Sequence, residues 1–189
     1  MTKNIMIVGV GGQGSLLASK LLGHVLLSQN YDVKVSEVHG MSQRGGSVVT
    51  YVRYGDKVYS PIIDKGQADV IISFEKLEAA RYMNYLKKGG KIVVSDQEID
   101  PMPVITGAAE YPENLIEKMK AAGADIDDMD ALSLGGRQSK SGKYRAYGTS
   151  ITLLPGDQRG SLAGVFGSVC TAEVLGDEQE SVYAGTQLE

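Results

Sequence analysis

The residues best placed to do chemistry begin with a cluster of glycines that ends an apolar run near the N-terminus. Within the stretch IMIVGVGGQGS, the pattern G-x-G-x-x-G is met by Gly9, Gly11 and Gly14. Gly12 and Gln13 lie between the last two of these glycines. Such a turn lets the backbone approach a phosphate closely and points amides at it from the start of a helix. The same glycines also suit a turn that only packs a helix on a strand. The stretch therefore indicates a ligand or partner site without identifying the ligand.

Two side chains that can exchange protons or hydrogen bonds follow at the end of the next apolar segment. Glu37 lies roughly where a dinucleotide-binding domain places the carboxylate that holds a ribose hydroxyl. His39 supplies an imidazole that can transfer a proton, although a lone loop histidine more often makes a hydrogen bond or an interface contact. Together they keep a nucleotide-binding interpretation open.

The loop that comes next, HGMSQRGGS, is rich in polar groups and in glycine. Its central residues are Ser42, Gln43, Arg44, Gly45 and Gly46. The guanidinium of Arg44 suits bidentate capture of a phosphate or a carboxylate, because its fork of donors matches two anionic oxygens. An internal anchor for the loop is the alternative interpretation.

Composition and charge restrict the class of protein. The chain has 189 residues, of which 42% are hydrophobic and 22% charged, and a formal net charge of -4. These values suit one globular domain and argue against a general nucleic-acid binder. The first apolar segment is too short for a membrane span and only Lys3 precedes it, so we expect a cytoplasmic protein with no membrane partner. The single cysteine, Cys170, and two separated histidines offer no metal or iron–sulfur site.

The elements that must position these loops alternate between strand and helix. Buried or alternating apolar patterns predict strands at 5–8, 33–38, 48–54, 57–60, 68–74 and 91–95. Helical spacing predicts helices at 16–26, at 75–88 and between Pro112 and Gly123. The first three elements predict a β-α-β unit with a right-handed crossover, and a turn at Gly55 and Asp56 predicts an antiparallel hairpin. We therefore expect a Rossmann-like α/β fold, with a mostly parallel sheet, helices on both faces and one antiparallel hairpin.

Three ordered motifs carry a resemblance to a known family. They are GVGGQG at 9–14, SEVHGMSQRGGSVVTYVR at 36–53, and YSPII with ADVIISFEKLEAAR within 59–81. The motifs resemble the gamma-type domain of 2-oxoacid:ferredoxin oxidoreductases, and the HGMSQRGGS form is similar to the small, or beta, subunits of the indolepyruvate type. The resemblance extends to about Leu134, which predicts one domain over 1–134.

The resemblance implies a subunit of an enzyme that converts aryl 2-oxo acids, in particular indolepyruvate, to acyl-CoA with reduction of ferredoxin. It implies that thiamine diphosphate and [4Fe-4S] clusters reside in the large (alpha) subunit, that CoA is a co-substrate, and that no cofactor is firmly assigned to this chain. Arg44 would then face a CoA phosphate, the substrate carboxylate or an acidic residue of the large subunit. A free-standing NAD(P)-binding oxidoreductase or sensor, built on the glycine turn and Glu37, is the alternative.

After Leu134 the sequence ceases to resemble the family and its apolar periodicity fades. Reverse translation from Gly135 onward, read one base later, permits a helical apolar pattern, a GN-x-K-x-x-N segment and a PPKFLEMN segment, as in the C-terminal helices of the family. Dozens of consecutive positions fit without a forced stop codon. We interpret residues 135–189 as the product of a single-base frameshift in the segment that would otherwise form those helices, and we expect them to be poorly ordered.

The frameshift can be tested on the gene itself. We expect sequencing across codon 134 to reveal a single-base change that restores the family reading frame. An intact frame that encodes the present residues, from independently isolated DNA, would contradict this interpretation.

Overall fold

The computed structural model describes residues 1–40 and 45–129. Its strands are β1 Lys3–Val10, β2 Asp32–His39, β3 Ser47–Gly55, β4 Ala68–Ser73, β5 Leu86–Ser95 and β6 Asp125–Met129. Its α-helices are α1 Ser15–Ser28, α2 Lys76–Tyr82, α3 Met102–Ile105 and α4 Leu115–Ala121, and a 3-10 turn Met83–Tyr85 follows α2. The expected domain boundary at 134 and the suspected frameshift lie outside the described residues. Within those residues, no helix is both long enough and apolar enough to cross a membrane.

The sheet has the strand order β2-β3-β1-β4-β5-β6. β1, β4, β5 and β6 pair in parallel, whereas β3 runs antiparallel to both of its neighbours. Met6 and Val8 of β1 share an apolar cluster with Ala79 of α2 and Met119 of α4. Because neighbouring side chains on a strand point to opposite faces, the rest of β1 faces the side on which α1 packs. The predicted α/β fold with a mostly parallel sheet and an antiparallel element is confirmed.

The antiparallel element differs from the predicted hairpin. β3 pairs with β2 from Asp32 opposite Gly55 to His39 opposite Val48, and its other edge pairs with β1. The predicted return strand at 57–60 is therefore wrong, since both edges of β3 are already occupied. The Asp32 carboxylate accepts from the Val58 amide at 2.8 Å and holds this segment without a strand ladder.

The two strands of the predicted β-α-β unit are parallel, as expected, but they are not neighbours in the sheet. β1 and β2 both run opposite to β3, so they point the same way, but β3 lies between them. The apolar patterns of the two strands carry no information about which strand separates them.

The second helix is shorter than its pattern suggests. α2 ends at Tyr82, and β5 begins at Leu86 rather than at Lys91. Gly90 lies so close to β4 that a Cβ added to it would be 2.9 Å from the Ala68 carbonyl oxygen. This backbone contact places the Gly-Gly pair inside a strand and not at the end of a helix.

The last helix also begins later than predicted. α4 starts at Leu115 and not at Pro112, after Asn114 with a φ of 55°. Its end near Gly123, which has a φ of 90°, agrees with the predicted glycine stop. The stretch around Pro101 and Pro103 contains the single turn α3.

The close approach at Gly90 predicts the effect of a single methyl group. Gly90→Ala should lower the free energy of unfolding by about 1–3 kcal/mol, because the new Cβ would press on the Ala68 and Asp69 carbonyl oxygens. Urea unfolding followed by circular dichroism measures this change. Lys88→Ala, at an exposed position of the same strand, is the control and should have little effect. Equal stability of the two variants would contradict the close contact.

Candidate functional site

The glycine turn joins the end of β1 to the start of α1. Gly12 has a φ of 98° and Gly14 has a φ of 91°. Residues other than glycine rarely adopt such backbone angles. Gly14 is also the N-cap residue of α1, and no side chain caps this helix end. These two glycines are therefore required by the shape of the turn itself.

Gly9 has a different role, which is packing. A Cβ at this position would lie 2.9 Å from Gln13 Oε1 and 3.0 Å from the Phe74 Cβ. The space next to the first glycine is thus filled by the side chain of Gln13. The packing interpretation of the glycine pattern accounts for Gly9.

Gln13 fastens the turn to the rest of the sheet. Its Oε1 accepts from the Val10 amide at 2.7 Å. Its Nε2 donates to the Phe74 carbonyl oxygen at 2.8 Å and to Gln97 Oε1 at 3.1 Å. The side chain is therefore an internal clamp across the ends of β1, β4 and β5. The sequence gives no indication that Gln97 is a partner of Gln13.

The second glycine loop meets the first through its backbone. The Gly11 amide donates to the Gly46 carbonyl oxygen at 2.8 Å, and the Gly45 amide donates to the Gly11 carbonyl oxygen at 3.4 Å. The two loops thus form one edge of the molecule. Ser42, Gln43 and Arg44 lie outside the described residues.

A cavity of about 400 Å³ opens beside this edge. It is lined by the residues Gly11, Gly12, Gly14, Ser15, Leu16, Glu37, His39 and Val48. The structure therefore brings the predicted carboxylate and imidazole together with the glycine turn. The Thr50 hydroxyl donates to Glu37 Oε2 at 3.4 Å, and the exposed His39 has its Nδ1 3.0 Å from the Gly40 carbonyl oxygen. One wall thus offers titratable groups and the other the start of a helix, which suits a polar ligand or a polar partner side chain.

The cavity does not reproduce a dinucleotide site. β3 separates β2 from β1, so Glu37 lies two strand spacings, about 10 Å, from the strand that precedes the turn. Two amides of the turn are also occupied, since Gly11 donates to Gly46 and the Gln13 amide donates to the Val10 carbonyl oxygen at 3.1 Å. The fingerprint that suggested NAD thus lacks the neighbouring-strand carboxylate that the cofactor uses.

A buried polar pair on the opposite face of the sheet was not predicted. The Ser47 hydroxyl donates to Glu78 Oε2 at 2.5 Å, and Arg81 Nη1 donates to Glu78 Oε1 at 2.9 Å. Glu78 is only 3% exposed. Burial raises the pKa of its carboxyl, because a low-dielectric environment disfavours the ionised form, and the Ser47 and Arg81 bonds offset part of this effect.

Other acidic residues have structural roles. Glu75 is 1% exposed and caps α2 by accepting from the Glu78 amide at 2.8 Å. Burial, followed by the hydrogen bond to Glu75, raises the pKa of Tyr111. Asp69 is buried and forms an ion pair with Lys87. Within residues 1–40 and 45–129, no three acidic, histidine or cysteine side chains converge as metal ligands, and Cys170 lies outside this range.

Known proteins match this chain at the level of family and close relatives. The sequence profile described as Pyruvate ferredoxin/flavodoxin oxidoreductase matches residues 4–142. Proteins named Indolepyruvate oxidoreductase subunit IorB from Pyrococcus horikoshii and Thermococcus kodakarensis are 55% and 54% identical over 117 residues, which are 62% of this chain and 57% of each relative. The chain thus spans little more than half the length of the curated relatives it matches.

Solved structures show the same fold at low identity. The gamma subunit of a keto/oxoacid ferredoxin oxidoreductase from Geobacter sulfurreducens has a TM-score of 0.58 at 17% identity and covers 92% of this chain and 94% of that chain. The pyruvate oxidoreductase subunit PORC from Thermotoga maritima has a TM-score of 0.59 at 14% identity, with coverages of 92% and 96%. At such identities the likeness concerns the fold alone.

The internal role of Gln13 can be measured without any ligand. Gln13→Leu should lower the free energy of unfolding by about 1–3 kcal/mol, because it leaves the Val10 amide and the Phe74 carbonyl without their side-chain partner. Denaturant unfolding of the variant provides the measurement. Gln67→Leu, at an exposed position, is the matched control. A Gln13 variant as stable as the control would show that the clamp contributes nothing.

Proposed function

Because the chain belongs to the pyruvate ferredoxin/flavodoxin oxidoreductase family, we propose that it is the small subunit of an indolepyruvate:ferredoxin oxidoreductase. The observation that carries this proposal is the 55% identity to an indolepyruvate oxidoreductase subunit over 117 residues. The complex would decarboxylate aryl 2-oxo acids oxidatively, transfer the acyl group to CoA and pass two electrons to ferredoxin.

The redox chemistry belongs to the partner subunit in this proposal. One cysteine in the whole chain cannot supply the four thiolates of a [4Fe-4S] cluster. Thiamine diphosphate in the large subunit supplies the carbanion chemistry of decarboxylation when bound. We place the complex in the cytoplasm, with ferredoxin as the electron acceptor.

The contribution of this chain is a shaped edge that faces the large subunit. The Gly11 and Gly46 backbones join two loops, and the cavity beside them carries Glu37 and His39. Arg44 belongs to the second of these loops. A guanidinium in this position would bind a CoA phosphate, the carboxylate of the 2-oxo acid or a carboxylate of the partner, since its donors match each of these groups.

Reconstitution tests the assignment. The chain in its present and frame-corrected forms is co-expressed with a candidate large subunit, and viologen reduction is measured with indolepyruvate and CoA. We expect activity with the corrected chain, and lower activity with pyruvate or 2-oxoglutarate. No complex with either form would contradict the subunit assignment, whereas a complex that prefers pyruvate would contradict the substrate.

Arg44 is tested in the same complex. Arg44→Lys keeps the charge and loses the fork of donors, so we expect kcat/KM to fall by about tenfold, or ~1.4 kcal/mol. A higher KM for CoA identifies a phosphate as its target, a higher KM for indolepyruvate identifies the substrate carboxylate, and weaker assembly identifies the partner. Lys65→Gln, at an exposed position, is the control. Unchanged kinetics and assembly would assign Arg44 to the interior of the loop.

A further inference from the structure

The buried carboxylate of Glu78 has no function in the proposed reaction, yet it binds the residue that follows the second glycine loop. Its Oε2 accepts from the hydroxyl of Ser47, the first residue of β3. The residue before Ser47 is Gly46, whose carbonyl oxygen receives the Gly11 amide. A short chain of bonds thus runs from α2 through the start of β3 to the glycine turn.

The bond reaches the loop from the face of the sheet opposite to the cavity. Val48 lines the cavity on the α1 side, and Ser47, its neighbour on the strand, points to the α2 side. Glu78 therefore binds the Ser47 side chain on the α2 side, while the carbonyl oxygen of the preceding Gly46 accepts from the Gly11 amide at the edge. The Ser47 hydroxyl also lies 3.4 Å from the Tyr82 hydroxyl.

A carboxylate at this depth has a desolvation cost when it ionises. The groups that face it are Ser47 from β3, Glu75 at the N-cap of α2 and Arg81 from α2. Burial and Glu75 raise the pKa of Glu78, and they outweigh the bonds from Ser47 and Arg81. An amide of the same shape would remove this cost, but it would also give the Ser47 hydroxyl a weaker, uncharged acceptor.

We propose that Glu78 is a positioning residue, which through Ser47 holds Gly45 and Gly46 against the glycine turn so that the edge is preformed for its ligand or partner. The effect on this chain stands on the bonds described above. The effect on catalysis rests on the proposed function.

The positioning effect is tested in the full chain by hydrogen exchange at the Gly11 amide, which donates to Gly46. We expect about tenfold faster exchange in Glu78→Gln and in Ser47→Ala, since a hydrogen bond to a charged group is lost or weakened in each. Ser47→Thr, which keeps the hydroxyl, should restore slow exchange. Glu117→Gln, an exposed glutamate in the first turn of α4, is the matched control and should leave exchange unchanged.

Two outcomes would overturn the proposal. One is unchanged exchange at Gly11 in Glu78→Gln. The other is an equal acceleration at Gly11 and at the buried amides of β4, because general destabilisation of the fold would then explain both.

The pH dependence of the free energy of unfolding distinguishes a titrating Glu78 from a neutral hydrogen-bond partner, which would not contribute to it. The folded pKa of Glu78 lies above its ordinary value of 4.5, so its favourable contribution is fully present below pH 4.5 and is lost as the pH rises through the folded pKa. Glutamine has no such loss. The unfolding free energy of Glu78→Gln minus that of the wild type should therefore be more positive at pH 7 than at pH 4. A difference that does not change with pH contradicts a raised pKa at Glu78.

Activity of the reconstituted complex tests the effect of Glu78 on catalysis. Glu78→Gln should raise the KM for CoA or for indolepyruvate by about tenfold with a smaller change in kcat, because a loosened glycine edge must be ordered on binding. Unchanged KM values in an active complex would contradict the catalytic part. An inactive complex of the frame-corrected chain without the substitution would contradict the proposed function, and the exchange and pH measurements would still decide the role of Glu78 in this chain.

Discussion

The antiparallel placement of β3 between β1 and β2 is the constraint on which the site depends. Every residue of β1 from Lys3 to Val10 pairs with β3, in a register that sets Val10 opposite Ser47. The start of β3 therefore lies beside the end of β1, and the two loops that flank these points meet at one edge. In a parallel arrangement the start of β3 would lie at the far end of the sheet. Two loops that are remote in sequence thus become a single surface through one strand ladder.

This ladder also explains how the glycine turn is stabilised. The turn lacks a side-chain cap on α1, and its shape depends on two glycines with positive φ. It receives bonds from outside instead: Gln13 joins it to β4 and β5, and the Gly46 carbonyl oxygen accepts from Gly11. Polar contacts within the chain therefore stabilise this turn, as a bound anion does in other turns of this kind.

The sequence was sufficient for the parts of the fold that depend on local patterns. The uninterrupted apolar runs of β1 and β4 predict buried strands, and both are buried along most of their length. The helical spacing after the glycines predicts α1, which ends close to Asn30 with its φ of 61°. Such patterns report burial and period, and these are properties of each segment by itself.

The errors arise where the outcome depends on another segment. Residues 57–60 read as a strand, but the edge of β3 that they would need is occupied, and Asp32 binds them instead. The helix predicted to reach residue 88 ends earlier because β5 lies directly against β4 at Gly90. Sheet order and backbone proximity are not visible in a periodicity, so these corrections required the structure.

The candidate site shows the same difference between features that depend on local patterns and features that depend on another segment. Glu37 and His39 were recognisable by type and position, and they do line one cavity with the glycine turn. Ser47 and Glu78 were not recognisable as a pair, because their 31-residue separation gives no local signal. One indication existed, since Glu78 falls at helical spacing with Glu75 and Tyr82 on the face of α2 that turns toward the sheet. A glutamate on a buried helix face requires a partner from another element.

The glycine fingerprint of this chain therefore shares its sequence with nucleotide-binding proteins but not its geometry. In a dinucleotide site, the glycines clear space for a pyrophosphate and the carboxylate stands on the neighbouring strand. Here the space at Gly9 is taken by Gln13, the Gly11 amide is taken by Gly46, and the neighbouring strand is β3 rather than β2. The turn is thus built to receive a second loop of its own chain. That loop also contains Arg44, the residue proposed above to bind an anionic group.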